Sequence, residues 1–218
     1  GGLPWFKSCV EDVDYAAACP LMASHFYLQK EALRAGRYNI LDRLQLLGGR
    51  KPFLVEEFGF QDARSGAIVN PLMEEFDYAL LAASFALDAV AMGTSGLNIW
   101  CLHELEYPVG YMSYGLFRYK DKDWSPKPVW YAWSMLTRNT RYGEAVRGPV
   151  TQLPAGLVAV QIGATAYFVN PTAQPVRFVC EEAKWSTARL FDEGCLPAST
   201  EEAAVRAAAE GRVAAVGD

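Results

Sequence analysis

Three short apolar runs constrain this chain more than anything else in it: PLMASHFY at 20–27, KPFLVEEF at 51–58 and GLNIWCL at 96–102. Each reads as a buried strand, and helical spacing fills the intervals. Leu28 to Leu47 can place Leu33, Ile40, Leu41, Leu44 and Leu47 on one face, and Gly48-Gly49 stops that helix. Asn70-Pro71 opens a second helix. Pro71 suits its first turn, Glu74 and Glu75 favour its positive end, and Gly93 ends it after about Met92. A polar-aromatic loop follows the third strand, HELEYPVGYMSYGLFRYKDKDWSPKP, and Pro128 opens an amphipathic helix to about Asn139. Strands that are apolar throughout and alternate with helices predict an α/β fold with a parallel sheet covered on both faces. In such folds ligands bind beyond the C-terminal ends of the strands.

The pattern changes after Tyr142-Gly143. Leu157–Ile162, Thr165–Asn170, Val176–Cys180 and Thr187–Phe191 are short alternating runs separated by Gly, Pro and Asn-Pro. They predict a small antiparallel domain over 146–218, half of a sandwich, distinct from an α/β unit over 1–145. Thr200 to Glu210 reads as a short helix, and Val213–Asp218 as the start of another strand.

Composition removes several function classes. Half of the residues are hydrophobic (51%) and 21% are charged, so a sizeable core can form. The net charge of −5, without a Lys/Arg-rich patch, argues against a nucleic-acid partner. The longest apolar stretch, near Tyr78–Met92, holds Asp88 and is too short for a membrane span. Five cysteines without a CxxC pair read as buried thiols, and no His/Asp/Glu spacing resembles a metal site, so neither metal nor cofactor is expected. The first residues, GGLPWFKSCV, do not read as a signal peptide, and localisation stays open.

A strand gains nothing from burying a carboxylate, yet the middle run ends in Glu56-Glu57. Strict alternation puts Phe53, Val55 and Glu57 on one face and Leu54, Glu56 and Phe58 on the other. One Glu can then face a site while its neighbour is turned away. His25 and Tyr27 share a face of the first strand, and Asn98 and Trp100 a face of the third. His103 lies just past the third strand, so both histidines of the chain fall at strand ends.

ASHFYL, PFLVEEFGF and SGLNIWCL resemble the sixth, seventh and eighth strands of a (β/α)8-barrel glycoside hydrolase of clan A, nearest to family 5. The segment YGLFRYKDKDWSPKPVWYAWSML is similar to the approach to the last barrel helix of that family. The resemblance covers roughly residues 14 to 142. It implies that the chain is the C-terminal portion of a (β/α)8 barrel followed by a small antiparallel β domain. It also implies a retaining glycosidase with Glu57 as nucleophile, Tyr27 hydrogen-bonded to it and Trp100 under the sugar, while His25 and His103 contact hydroxyls or tune protonation. Glu56 is then structural, and for Glu104 and Glu106, in HELEYP, a solvated loop ranks above a contact to sugar.

The family takes its general acid from an Asn-Glu pair on the fourth strand, and this sequence has no Asn-Glu. The resemblance therefore implies that an N-terminal barrel half supplies the acid. Retention requires the two carboxyl groups about 5–5.5 Å apart. A non-catalytic carbohydrate-binding relative of the same barrel is the alternative, and a metal-binding barrel enzyme ranks below both.

Overall fold

The structure, a computed structural model, describes residues 2–149, 153–154, 156–172, 174–178 and 186–214. It is mixed α/β. Two helices, α1 (Leu3–Glu11) and α2 (Val13–Ala18), precede the first strand and are not foreseen in the sequence. Phe6 on α1 is fully buried, and the Asp12 side chain caps α2 by accepting the Tyr15 N–H.

The central sheet contains β1 (Met22–Gln29), β2 (Phe53–Gln61) and β3 (Gly96–Ile99), parallel and in that order. Helix α3 (Leu33–Leu47) joins the first two strands, and α4 (Phe76–Met92) the second and third. Gly48 and Gly93 end these helices at φ 57° and 107°, a region that glycine enters without the steric cost of a Cβ. The first helix begins later than the spacing predicts, because β1 runs on to Gln29 and a 3-10 turn occupies Lys30–Ala32. Leu41 is exposed rather than on the buried stripe. Pro71 starts a 3-10 turn, Pro71–Glu74, and the α-helix itself opens at Phe76.

Coverage differs from expectation. Rather than both faces, the helices take one face of the sheet. Phe85 of α4 packs on Phe26, Phe58 and Phe60, and Arg43 of α3 lies over Phe26 and donates to Ser24. Trp133 of α5 (Pro128–Arg138) meets Phe58 at 5.6 Å. Burying each such Phe contributes about 1.5–3 kcal/mol as an upper estimate. The opposite face carries the smaller and polar residues Ala23, His25, Tyr27, Leu54, Glu57, Gly59 and Gln61.

The loop after β3 is not featureless. It contains a hairpin, β4 (Leu105–Tyr107) and β5 (Gly110–Met112), whose three-residue strands are too short to give a periodic signal. In the last third, β6 (Val146–Arg147), β7 (Val158–Ile162) and β8 (Thr165–Val169) form an antiparallel sheet whose apolar face packs on Ala83 and Leu87 of α4. A helix, not a second sheet, thus faces it. Strand β9 (Ala188–Leu190) pairs with β10 (Arg212–Ala214), and α6 (Glu202–Glu210) packs through Ala208 and Ala209 near Tyr131 of α5. Val176–Phe178, expected to open a strand, is irregular, and the rest of that run, residues 179–180, lies outside the described residues.

Candidate functional site

Apolar residues fall at 53, 55, 58 and 60 on β2, and all four are buried. Val55 and Phe58 are an odd number of positions apart, so perfect alternation cannot bury both. The chain resolves this with a bulge. Ser24 pairs with Val55 but His25 with Glu57, and on the other side Val55 pairs with Leu97 but Phe58 with Ile99. One extra residue, Glu56, is accommodated against both neighbours. The bulge resets the parity, which corrects the alternation read from the sequence. Phe53, Val55, Phe58 and Phe60 all meet the helices, and Glu57 joins Leu54 and Gly59 on the open face.

On that face Glu57 meets the first strand. The Tyr27 hydroxyl donates to Glu57 Oε2 at 2.6 Å. A short hydrogen bond to a carboxylate fixes its direction. Burial, and then this bond to Glu57, raise the Tyr27 hydroxyl far above the usual phenol range, so it remains a donor. Gly59 pairs with Tyr27, and a Cβ there would lie 3.5 Å from the Tyr27 ring and 3.2 Å from the Tyr78 hydroxyl, so this position suits a residue without a side chain.

His25 stands between the two glutamates. Its Nδ1 is 3.3 Å from Glu57 Oε2 and its Nε2 3.4 Å from Glu56 Oε2. A neutral imidazole carries one N–H and can serve one carboxylate, whereas the imidazolium serves both. Glu56 is therefore not turned away, as alternation implied. It is more exposed than Glu57, at 59% against 24%, and flanks His25 from the other side. The odd spacing of Val55 and Phe58 is the sequence signal that could have revealed this.

Trp100 directly follows β3, half-buried, and its N–H donates to the Phe58 carbonyl at 3.3 Å. Its backbone thus lies beside the bulge, and the peptide to Cys101 is cis. Burial pushes the Cys101 thiol up to about 11, and the Glu57 charge adds to this. His103 is turned elsewhere. Its Nδ1 is 2.7 Å from the Glu104 carbonyl, and its ring meets Trp124 at 5.3 Å. The structure joins His25, Tyr27 and Glu57, sets Trp100 at the same strand end, and leaves His103 in the loop.

Glu104 is not solvated, contrary to expectation. It is buried, accepts the Tyr119 N–H at 2.9 Å, and pairs at 2.6 Å with Lys127, which is itself fully buried. Lys127 also donates to the Ser113 carbonyl at 2.8 Å and lies 3.4 Å from Glu74. Arg118 donates to Glu74 twice, at 2.6 and 2.9 Å. Burial works to raise Glu74, but Arg118 and Lys127 outweigh it and hold the carboxyl below its ordinary value. This network anchors the loop. Glu106 stays at the surface and accepts from the Tyr119 hydroxyl at 3.0 Å.

Among the described residues, no group of three His, Cys, Asp or Glu side chains is placed to hold a metal ion, and no helix is long and apolar enough to cross a membrane. Compared with known families and curated proteins, the chain matches no family model and no curated sequence.

Proposed function

We propose that this chain carries the nucleophile side of a retaining O-glycosidase, and that its sheet is strands six to eight of a (β/α)8 barrel of clan A type. The observation that carries the reading is the Tyr27 hydroxyl held 2.6 Å from Glu57, at the C-terminal half of a parallel strand with His25 alongside. A nucleophilic carboxylate must be aimed at the carbon it attacks, and a committed donor aims it. Two further facts support it. The helices lie on one face of the parallel sheet, as a closed barrel requires, and the open face holds the polar groups. Trp100 directly follows the next strand and is half-buried, and in this reading its ring takes the apolar face of a sugar.

In this mechanism Glu57 attacks the anomeric carbon while an acid supplied by the rest of the barrel protonates the leaving oxygen. Water then releases the glycosyl group with that acid acting as base. The substrate is a glycoside, oligosaccharide or polysaccharide, and the chemistry calls for no metal or cofactor. The 218 residues alone, without the acid, should be a poor catalyst.

The test is chemical rescue in the full-length polypeptide. Glu57→Gln should abolish turnover of aryl glycosides and leave sugar binding largely intact, whereas Trp100→Ala weakens binding. Azide added to Glu57→Gly should restore cleavage of an activated aryl glycoside and give the glycosyl azide of inverted configuration. Rescue of Glu56→Gly instead, or a wild-type product of inverted configuration, overturns the assignment. Sugar binding without any turnover would point to a non-catalytic relative.

A further inference from the structure

Glu56 has no part in the reaction as described, yet the sheet is built around it. It is the extra residue of β2, and accommodating it shifts the register against both neighbouring strands. Bulges re-aim side chains beside functional sites. Here the bulge brings two consecutive carboxylates to one imidazole, with His25 Nδ1 3.3 Å from Glu57 Oε2 and Nε2 3.4 Å from Glu56 Oε2. Among the described residues, no Lys or Arg side chain pairs with either carboxylate, so His25 is the cation available to both.

The protons at this cluster can be counted. Tyr27, on the same strand as His25, keeps its own proton and donates it to Glu57 Oε2 at 2.6 Å. A neutral ring with its hydrogen on Nδ1 serves Glu57 but turns a lone pair towards Glu56. With the hydrogen on Nε2 it serves Glu56 and turns a lone pair towards Glu57 Oε2. Only the doubly protonated ring meets both oxygens with a donor. Glu56 is what favours this form, because beside a neutral side chain at 56 the Nδ1–H tautomer would suffice. The titratable groups at His25 are thus Glu56 and Glu57 from β2, with Tyr27 of its own strand reaching the shared oxygen. Two donors converge on Oε2, which leaves Oε1 to attack the anomeric carbon.

We propose that Glu56 is a positioning residue for the reaction at Glu57, favouring the doubly protonated His25 ring so that its Nδ1–H donates to the nucleophile as the sugar is released. The proposal rests on the glycosidase reading for its chemistry. In the release step a water oxygen bonds to the anomeric carbon and the bond from that carbon to Glu57 Oε1 breaks. The electron pair of that bond returns to the carboxylate, and the proton of the water passes to the acid supplied by the rest of the barrel. His25 keeps its proton throughout and stabilises the negative charge that reappears on Glu57. Glu56 acts on the reacting atoms only through the ring.

The experiment compares wild type, Glu56→Gln, His25→Gln and the double variant in the full-length polypeptide, with near-UV circular dichroism to establish that each is folded. The substrates are dinitrophenyl glycosides of glucose, mannose, galactose, xylose and cellobiose. Their leaving group departs so readily that release of the sugar from Glu57 limits kcat. At pH 7 Glu56→Gln should lower kcat and KM together, about three- to tenfold, and leave kcat/KM within about twofold, because the glycosyl-enzyme accumulates. The deficit should shrink as pH falls, since acid protonates the ring without help from Glu56. In the His25→Gln background the Glu56→Gln change should add nothing. Ring-nitrogen NMR shifts of His25, recognised by their loss in His25→Gln, should show a smaller doubly protonated fraction in Glu56→Gln than in wild type at the same pH. An unchanged ring, a kcat that falls at constant KM, a deficit equal at every pH, or the same loss in the His25→Gln background overturns the proposal and leaves the glycosidase reading standing. Turnover of none of these glycosides by wild type sinks that reading and the proposal with it.

Discussion

Replacing Lys127 with Met should destabilise the protein far more than losing an average surface charge. The side chain is fully buried, and its three N–H groups have three partners: Glu104 at 2.6 Å, the Ser113 carbonyl at 2.8 Å and Glu74 at 3.4 Å. Methionine fills similar space but donates nothing. Glu74 keeps its two bonds from Arg118, so the damage concentrates on Glu104. That carboxylate is only 6% exposed and would retain the Tyr119 N–H alone. Breaking a buried pair from one side costs about 3–5 kcal/mol, because the surviving charge stays desolvated. With a urea m-value of about 2 kcal/mol/M, the unfolding midpoint should fall by about 1.5–2.5 M.

The double variant Lys127→Met/Glu104→Gln removes both charges and keeps an acceptor for Tyr119. It should recover most of the loss, to within about 1–2 kcal/mol of wild type. Urea titration followed by tryptophan fluorescence measures all three proteins. A single variant within about 1 kcal/mol of wild type, or a double variant no better than the single, refutes the claim that an unpaired buried Glu104 sets the cost.

Asp88 on α4 is raised by burial, and Arg37, 3.7 Å away, offsets this only in part. Its ionised form therefore costs the folded state, so Asp88→Asn should raise the urea midpoint at pH 7, with the gain shrinking as pH falls through the carboxyl range. Glu74 has the opposite sign. Its depressed folded-state pKa contributes stability above the ordinary carboxyl range that is lost as pH falls through that depressed pKa, so wild type should lead Glu74→Gln at pH 7 and lose that lead only below the ordinary carboxyl range. Gly115→Ala puts a methyl against backbone at 2.1 Å and should cost about 1–3 kcal/mol or more, read as a lower melting temperature; an unchanged one would show that the loop yields freely.

The parallel sheet was legible because its three strands are apolar and β-prone and the helices between them end on Gly48 and Gly93. The pairing of His25 and Tyr27 with Glu57 followed from strand order. What failed was local. Period-two reasoning assigned Glu56 and Glu57 to opposite faces, because it had no place for an extra residue between Val55 and Phe58. The burial of Glu104 was hidden for another reason. Its partner Lys127 is 23 positions on, and two charges in a polar stretch look solvated until the chain folds them together. The hairpin β4–β5 and helix α1 are short elements stabilised by what they pack on, and the six-residue α2 buries no residue at all, so periodicity registers none of them.

Helix α4 has a wider consequence. Its Phe85 is part of the aromatic cluster beneath the parallel sheet, while its Ala83 and Leu87 sit under Val158, Val160 and Ile162 of the antiparallel sheet. Each sheet uses the helix as its floor. Although the composition changes near residue 143, the two halves share one load, and a cut there would leave Leu87 and its neighbours facing water. The unit of cooperativity is thus larger than the unit of sequence pattern. A ligand that stabilises the Glu57 face should slow amide exchange in β7 and β8, although neither strand carries a residue of the site.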